Sequence, residues 1–198
     1  MYSKYIRHLT LMVSLAFAIP STVMAGEATD RIKNTTDKLI AIVTDPDLEP
    51  IEMAGKRNRL IRAAVDEVFD WEEFSQRALA RHWRKRTNDE KKEFISLFGQ
   101  LLERTYMDKS RSYSGEKIVF LDESIDGNYG VVTARVTLKS GKEVEIDYRV
   151  IKKDGIWFVY DVYVEGVSLV NNYRVQFKSI IMKSSYKELV TRLKAKLK

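Results

Sequence analysis

The chain contains no cysteine. That excludes disulfide staples, thiol nucleophiles and thiolate metal sites together. It has only two histidines, and His8 falls in an N-terminal segment that reads as a leader. His82 alone cannot build the usual zinc sites. No Gly-x-Ser-x-Gly elbow accompanies it, so a His-based triad has no support. There is no glycine-rich phosphate loop, no internal repeat and no low-complexity linker. No apolar run is long enough to cross a bilayer comfortably; Leu9–Ile19 comes nearest and is too short.

That run has a different meaning. Lys4, Arg7 and His8 precede it, Pro20 breaks it, and Val23-Met24-Ala25 offers small or apolar residues for cleavage. This is the layout of a secretory signal peptide. Cleavage after Ala25 leaves residues 26–198 as one mature domain. With no cysteine at the cleavage point the mature N-terminus is not acylated. A soluble periplasmic protein is the expectation. The whole chain carries +6, and removing Lys4 and Arg7 leaves a mild +4. Export argues against a nucleic-acid partner and leaves anionic lipid or acidic protein surfaces.

The mature chain reads as helices, then strands, then helices. Ile32, Thr36, Leu39, Ile40 and Val43 recur at helical spacing, stopped by Asp45-Pro46-Asp47. Pro50 suits the next first turn, and Leu60, Ile61, Ala64, Val65 and Val68 form one stripe. Asp70 with Glu73 caps a third helix expected to run through Trp83. Thr87 with Glu90 forms a capping box for a fourth. In that helix Phe94, Phe98, Leu102 and Tyr106 make one ridge, and Leu97, Leu101 and Thr105 the next. Together they cover about 180°, against about 100° for a surface helix. Either the helix packs on two sides, or one ridge packs on the core and the other lines a cavity.

Beyond Gly115 the period becomes two. Val132, Ala134, Val136 and Leu138 alternate with Val131, Thr133, Arg135 and Thr137, and Val144, Ile146, Tyr148 and Val150 with Glu143, Glu145, Asp147 and Arg149. That predicts antiparallel strands with one wet face. Asp126-Gly127, Ser140-Gly141 and Asp154-Gly155 mark the turns. Ile156–Glu165 is apolar on both faces for most of its length, which suits an interior or doubly covered strand. Gly166 ends it, Ser168 caps the next helix, and Ser185 with Glu188 caps the last one after Ser184-Ser185 interrupts. The expected fold is α+β: one domain, a four-stranded antiparallel sheet wrapped by helices from both ends of the chain.

Chemistry is sparse. Asp161 and Glu165 share a strand face and could serve as an acid/base pair, or they could hold loop amides. Arg77, Arg81, Arg84, Lys85 and Arg86 form a basic cluster that suits an anionic surface or a solvated helix end.

The segment from Trp157 to Phe177, with Tyr160-Asp161, Glu165-Gly166-Val167-Ser168 and Tyr173-Arg174 followed by Gln176-Phe177, resembles the hallmark of the MlaC, or toluene-tolerance auxiliary, family. Residues 94–106 resemble the family's long helix and 186–197 its closing helix. The likeness spans the mature chain; Ser184-Ser185 departs from it where many members have a glycine. The resemblance implies a non-enzymatic periplasmic carrier without a cofactor. Such proteins bind glycerophospholipid by its tails in an apolar pocket between sheet and helices. They pass it between an outer-membrane lipoprotein–porin complex and the MCE-domain ring of an inner-membrane ABC transporter, maintaining outer-membrane asymmetry. Tyr106 and Val167 match positions near the tails. The broad helix face adds Phe94, Phe98 and Leu102 as lipid-binding candidates. The sheet adds Val132, Val136, Ile146, Tyr148 and Val162. A monomer is expected. Two other readings stay open: an adaptor with a solid core, and a carboxylate enzyme using Asp161 or Glu165.

Overall fold

The computed structural model describes residues 26–110 and 113–197, with side chains described outside 106–110. The expected signal peptide, residues 1–25, lies outside the described residues, as does the Tyr106 side chain.

The helices begin where local capping chemistry places them. α1 (Glu27–Thr44) ends at Asp45, whose carboxylate accepts from the Asp47 amide, and two short 3-10 turns around Pro46 and Pro50 lead into α2 (Ala54–Asp66). Asp70 accepts from the Glu73 amide at 2.9 Å and starts α3 (Trp71–Leu79). α3 does not reach Trp83. It stops at Leu79, and residues Ala80–Lys85 continue as a 3-10 helix, with Ala80 at φ 48°. Thr87 and Glu90 close the expected box in both directions, Thr87 N to Glu90 Oε2 at 2.8 Å and Glu90 N to Thr87 Oγ1 at 3.2 Å. α4 (Asn88–Ser110) follows. α5 (Leu169–Lys183) and α6 (Tyr186–Leu197) complete the helical layer, with Ser185 Oγ accepting from the Glu188 amide.

The sheet is antiparallel in the order β1 (Lys117–Asp126), β2 (Tyr129–Thr137), β3 (Glu143–Lys153), β4 (Ile156–Val164), β5 (Val167–Ser168). It therefore has five strands, not four. The fifth is two residues long and turns back on β4 through Glu165-Gly166, both at positive φ (48° and 76°), the signature of a tight type I′ hairpin. β4 is interior, as its composition suggested. β3 flanks one edge. β5 and the α2–α3 connection flank the other, the latter through Val159 N to Val68 O and Asp70 N to Val159 O.

Two apolar cores result. One is helical: Phe74, Leu79 and Trp83 meet Phe94, Phe98 and Leu101 of α4, Phe177 of α5 and Leu189 of α6. The other joins Ala28 and Ile32 of α1 to Val132, Val150, Trp157 and Val159 on the sheet. α1 is seated there from its N-terminus: Glu123 of β1 accepts from the Thr29 amide (2.7 Å) and hydroxyl (2.5 Å). This carboxylate supplies the cap that Gly26 cannot. Gly26 itself leaves the room Glu123 occupies, since a Cβ there would overlap the carboxylate.

Candidate functional site: an apolar cavity between sheet and helices

Phe69 packs against both cores, but beside it the elements stand apart. They leave a cavity of about 500 Å³, a common size for a small-molecule site. Its helical walls are Leu39 of α1, Ile61 and Val65 of α2, Trp71 and Phe74 of α3, and Gly99 and Leu102 of α4. The sheet contributes Tyr148, Val162 and Val164, and the hairpin junction contributes Val167, Ser168 and Leu169. Val164 and Val167 are 44% and 64% exposed and form an apolar rim open to solvent.

The junction is built around a buried carboxylate. A register shift leaves Tyr160 as an extra residue between Val159 and Asp161. Asp161 is buried and accepts from Ser168 Oγ (2.6 Å), the Val170 amide (3.0 Å) and the Val162 amide (2.8 Å). Ser168 Oγ in turn accepts from the Asn171 amide at 2.9 Å. Together Asp161 and Ser168 satisfy first-turn amides of α5 and place a negative charge at its N-terminus. Glu165 is elsewhere: it sits in the exposed turn and pairs with Lys142 at 3.0 Å. The two carboxylates therefore have separate tasks, and Asp161 takes the amide-holding role.

Few polar groups reach the cavity. Arg62 spans from α2 to α4, bonding Asp66 (Nε to Oδ1, 2.8 Å) and Glu103 (Nη1 to Oε2, 2.7 Å) and lying over the Trp71 ring. Burial opposes its charge, but hydrogen bonds and attraction from Asp66 and Glu103 outweigh that and hold it above its ordinary pKa. Burial pushes the Tyr148 phenol up to about 12. Among the described residues no group of three acidic, His or Cys side chains is arranged to hold a metal.

Of the ten residues singled out from sequence, four line this cavity: Leu102, Tyr148, Val162 and Val167. Phe94 and Phe98 do not. Both are fully buried in the helical core, Phe98 packing within 5.0–5.6 Å of Tyr173, Phe177, Phe94 and Phe74. Val132 is sealed in the sheet-side core, and Val136 and Ile146 share the sheet face of Tyr148 without lining the cavity, Ile146 pairing with the lining residue Val164. α4 packs in the helical core along both ridges, and among the described side chains Gly99, Leu102 and Glu103 are the ones that reach the cavity. Sequence reasoning missed the α1–α3 wall. The Ile61/Val65 stripe and the cluster Phe69, Trp71, Phe74 were visible, but nothing local says that they face a space rather than a core.

The comparisons with known proteins fit this geometry. The family model described as MlaC protein matches residues 33–195. The chain belongs to the MlaC family. A solved structure, a phospholipid-binding protein from Ralstonia solanacearum in complex with a phospholipid, superposes with a TM-score of 0.77 at 26% identity. The match covers 87% of this chain and 97% of that one. The intermembrane phospholipid transport system binding protein MlaC of Haemophilus influenzae is 25% identical over 122 residues, which is 59% of this chain. The match spans 57% of that relative's length.

Proposed function

We propose that this MlaC-family protein is a periplasmic carrier that takes up glycerophospholipid by its acyl chains. It passes the lipid between an outer-membrane lipoprotein–porin complex and the MCE-domain ring of an inner-membrane ABC transporter, and so maintains outer-membrane lipid asymmetry. The observation that carries the reading is the apolar cavity, with a rim at Val164 and Val167, in a fold shared with a protein solved with phospholipid bound. A methylene fills about the volume of a water, roughly 30 Å³, so the cavity has the bulk of one long acyl chain. Burying sixteen such carbons is worth roughly 12 kcal/mol before binding costs. Release into water is then slow, and transfer requires contact with a partner that offers another apolar site. Among the described residues no helix is long and apolar enough to cross a membrane, in keeping with a carrier rather than a channel. The cavity weighs against an adaptor with a solid core. The engagement of Asp161 with α5 amides weighs against a carboxylate enzyme.

Native mass spectrometry of the gently purified protein, followed by solvent extraction, tests the proposal. A stoichiometric increment matching glycerophospholipid is expected. A bare mass would put the adaptor reading first.

A further inference from the structure

The polar groups on the cavity wall are nearly all engaged. Arg62 is held by Asp66 and Glu103. The Trp71 indole donates to Asp66 at 2.6 Å. Ser168 bonds Asp161 and the Asn171 amide. The Asn172 side chain accepts from Gln176. The exceptions are the amide nitrogen of Asn172, on an exposed residue, and the hydroxyl of Tyr148. Tyr148 sits on β3 opposite Val132 of β2 and Val162 of β4, and its side chain contributes to the lining. Among the described residues its hydroxyl has no hydrogen-bond partner. Tyr148 is partly exposed, so water can reach its hydroxyl in the empty protein; a chain that fills the cavity displaces that water, and a donor then left without an acceptor is costly.

Burial alone raises this phenol to about 12. It therefore stays protonated, and a donor, at any physiological pH. A neutral donor on the apolar sheet wall suits a neutral acceptor that carries no hydrogen of its own. A phosphate is a poor match, because its charge would be stripped of water with no cation free to receive it; Arg62 is already shared by two carboxylates. An acyl carbonyl is a good match. It lies at the head of an apolar chain, so it reaches the wall only after the chain has entered.

We propose that Tyr148 forms an acyl-carbonyl subsite, its Oη donating a hydrogen bond to the carbonyl oxygen of a bound acyl chain. The inference rests on the carrier reading above and adds a chemical selectivity to it: ester-linked acyl lipids over ether-linked alkyl lipids of the same length. The ester of a glycerophospholipid presents this carbonyl; the carboxyl of a free fatty acid presents a similar oxygen but, when ionised, with the charge that tells against phosphate.

The test is competitive loading read by native mass spectrometry. Wild-type protein and Tyr148→Phe are each incubated with vesicles of equimolar dipalmitoyl and dihexadecyl phosphatidylcholine, and in a second arm with palmitic acid. The substitution keeps the ring and removes the donor. The ester-to-ether ratio on wild type is expected to exceed that on Tyr148→Phe roughly 3- to 10-fold, the usual worth of one net hydrogen bond. A loss confined to the palmitic acid arm would assign the carbonyl to a free fatty acid and keep the subsite. Equal ratios on both proteins, with palmitic acid unaffected, would overturn it. Bare masses in every arm would instead overturn the carrier reading, and the subsite with it. A measurement on wild type alone guards against a misfolded variant. The infrared band of a carbon-13-labelled ester carbonyl should lie lower when bound than when the lipid is dissolved in hydrocarbon. An unshifted band sinks the proposal.

Discussion

Asp161 shows how much of the site hangs on one side chain. It is buried, and three donors converge on it, two of them from the start of the β5–α5 segment. Removing the carboxylate leaves those donors bare inside the protein. Asp161→Ala should destabilise the fold by about 2–4 kcal/mol, since each buried donor without a partner costs about 1–3 kcal/mol and some relaxation is expected. Urea denaturation checks it; a loss below about 1 kcal/mol would mean that water replaces the carboxylate. Val167 tests function at the same scale with little structural consequence. It is 64% exposed at the cavity rim, so Val167→Glu buries no charge in the empty protein. The variant should fold with a urea midpoint near that of the delipidated wild type yet copurify without phospholipid. Normal lipid on the folded variant would refute the placement of the mouth. His82 supplies a pH signature. Burial, then the charges of Arg81, Lys85, Arg86 and Lys178, hold its imidazole below the usual value. Its Nε2 is buried with no partner among the described residues. The unfolded chain therefore takes up this proton first on acidification. Stability is full above the unfolded pKa of about 6.5 and declines as pH falls through that value towards the folded one. His82→Gln should flatten the urea midpoint between about pH 7 and pH 5 relative to wild type; identical profiles would show that the group does not contribute.

At the scale of elements, the starts of helices were legible and their interruptions were not. Asp70, Thr87 with Glu90, Ser168 and Ser185 are caps, and capping is decided within four residues, so the sequence displays it. The stop of α3 at Leu79 is different. The apolar positions run on to Trp83 without a break, and only the backbone at Ala80 (φ 48°, ψ −125°) ends the helix. An alanine there carries strain that a glycine does not. Its side chain is exposed, so Ala80→Gly loses no packing. Relief of strain should exceed the added freedom of the unfolded chain and raise stability by about 1 kcal/mol, a gain of about 2–4 °C in Tm for a domain of this size. A fall in Tm would show that the conformation is unstrained. β4 carries a second hidden interruption. Trp157 and Val159 face the sheet-side core, while Val162 and Val164 face the cavity. The shift of phase occurs at the extra residue Tyr160, which stacks under Arg77 at 4.1 Å. Part of what reads as a strand apolar on both faces is thus one apolar face that changes phase at a bulge. β5 escaped notice because two residues carry no period.

The whole molecule is two cores that meet at Phe69 and leave a gap beside it. Alternation and helical stripes showed which face of each element is apolar, because burial imposes a period on each element separately; the division into two cores was not read from them. The gap is a relation among α1, α2, α3, α4 and the sheet, and no single element encodes it. That is why Phe94 and Phe98, the most conspicuous ridge in the sequence, turned out to be core, while Leu39, Ile61 and Trp71 line the space. An apolar space of this size, open at its rim, has a thermodynamic consequence for the folded state. A ligand that fills it binds the native protein and not the unfolded chain, so it stabilises by mass action. Lipid at about a thousand times its dissociation constant contributes about 4 kcal/mol, which for this size corresponds to about 8–16 °C in Tm. Exhaustive delipidation should lower Tm by that amount, and reloading from phospholipid vesicles should restore it. Val167→Glu should already melt near the delipidated value and respond to neither treatment. A Tm unchanged by delipidation, with mass spectrometry confirming that the lipid has gone, would mean that the cavity walls close on themselves when empty. The two cores would then be one flexible core rather than two rigid ones around a binding site.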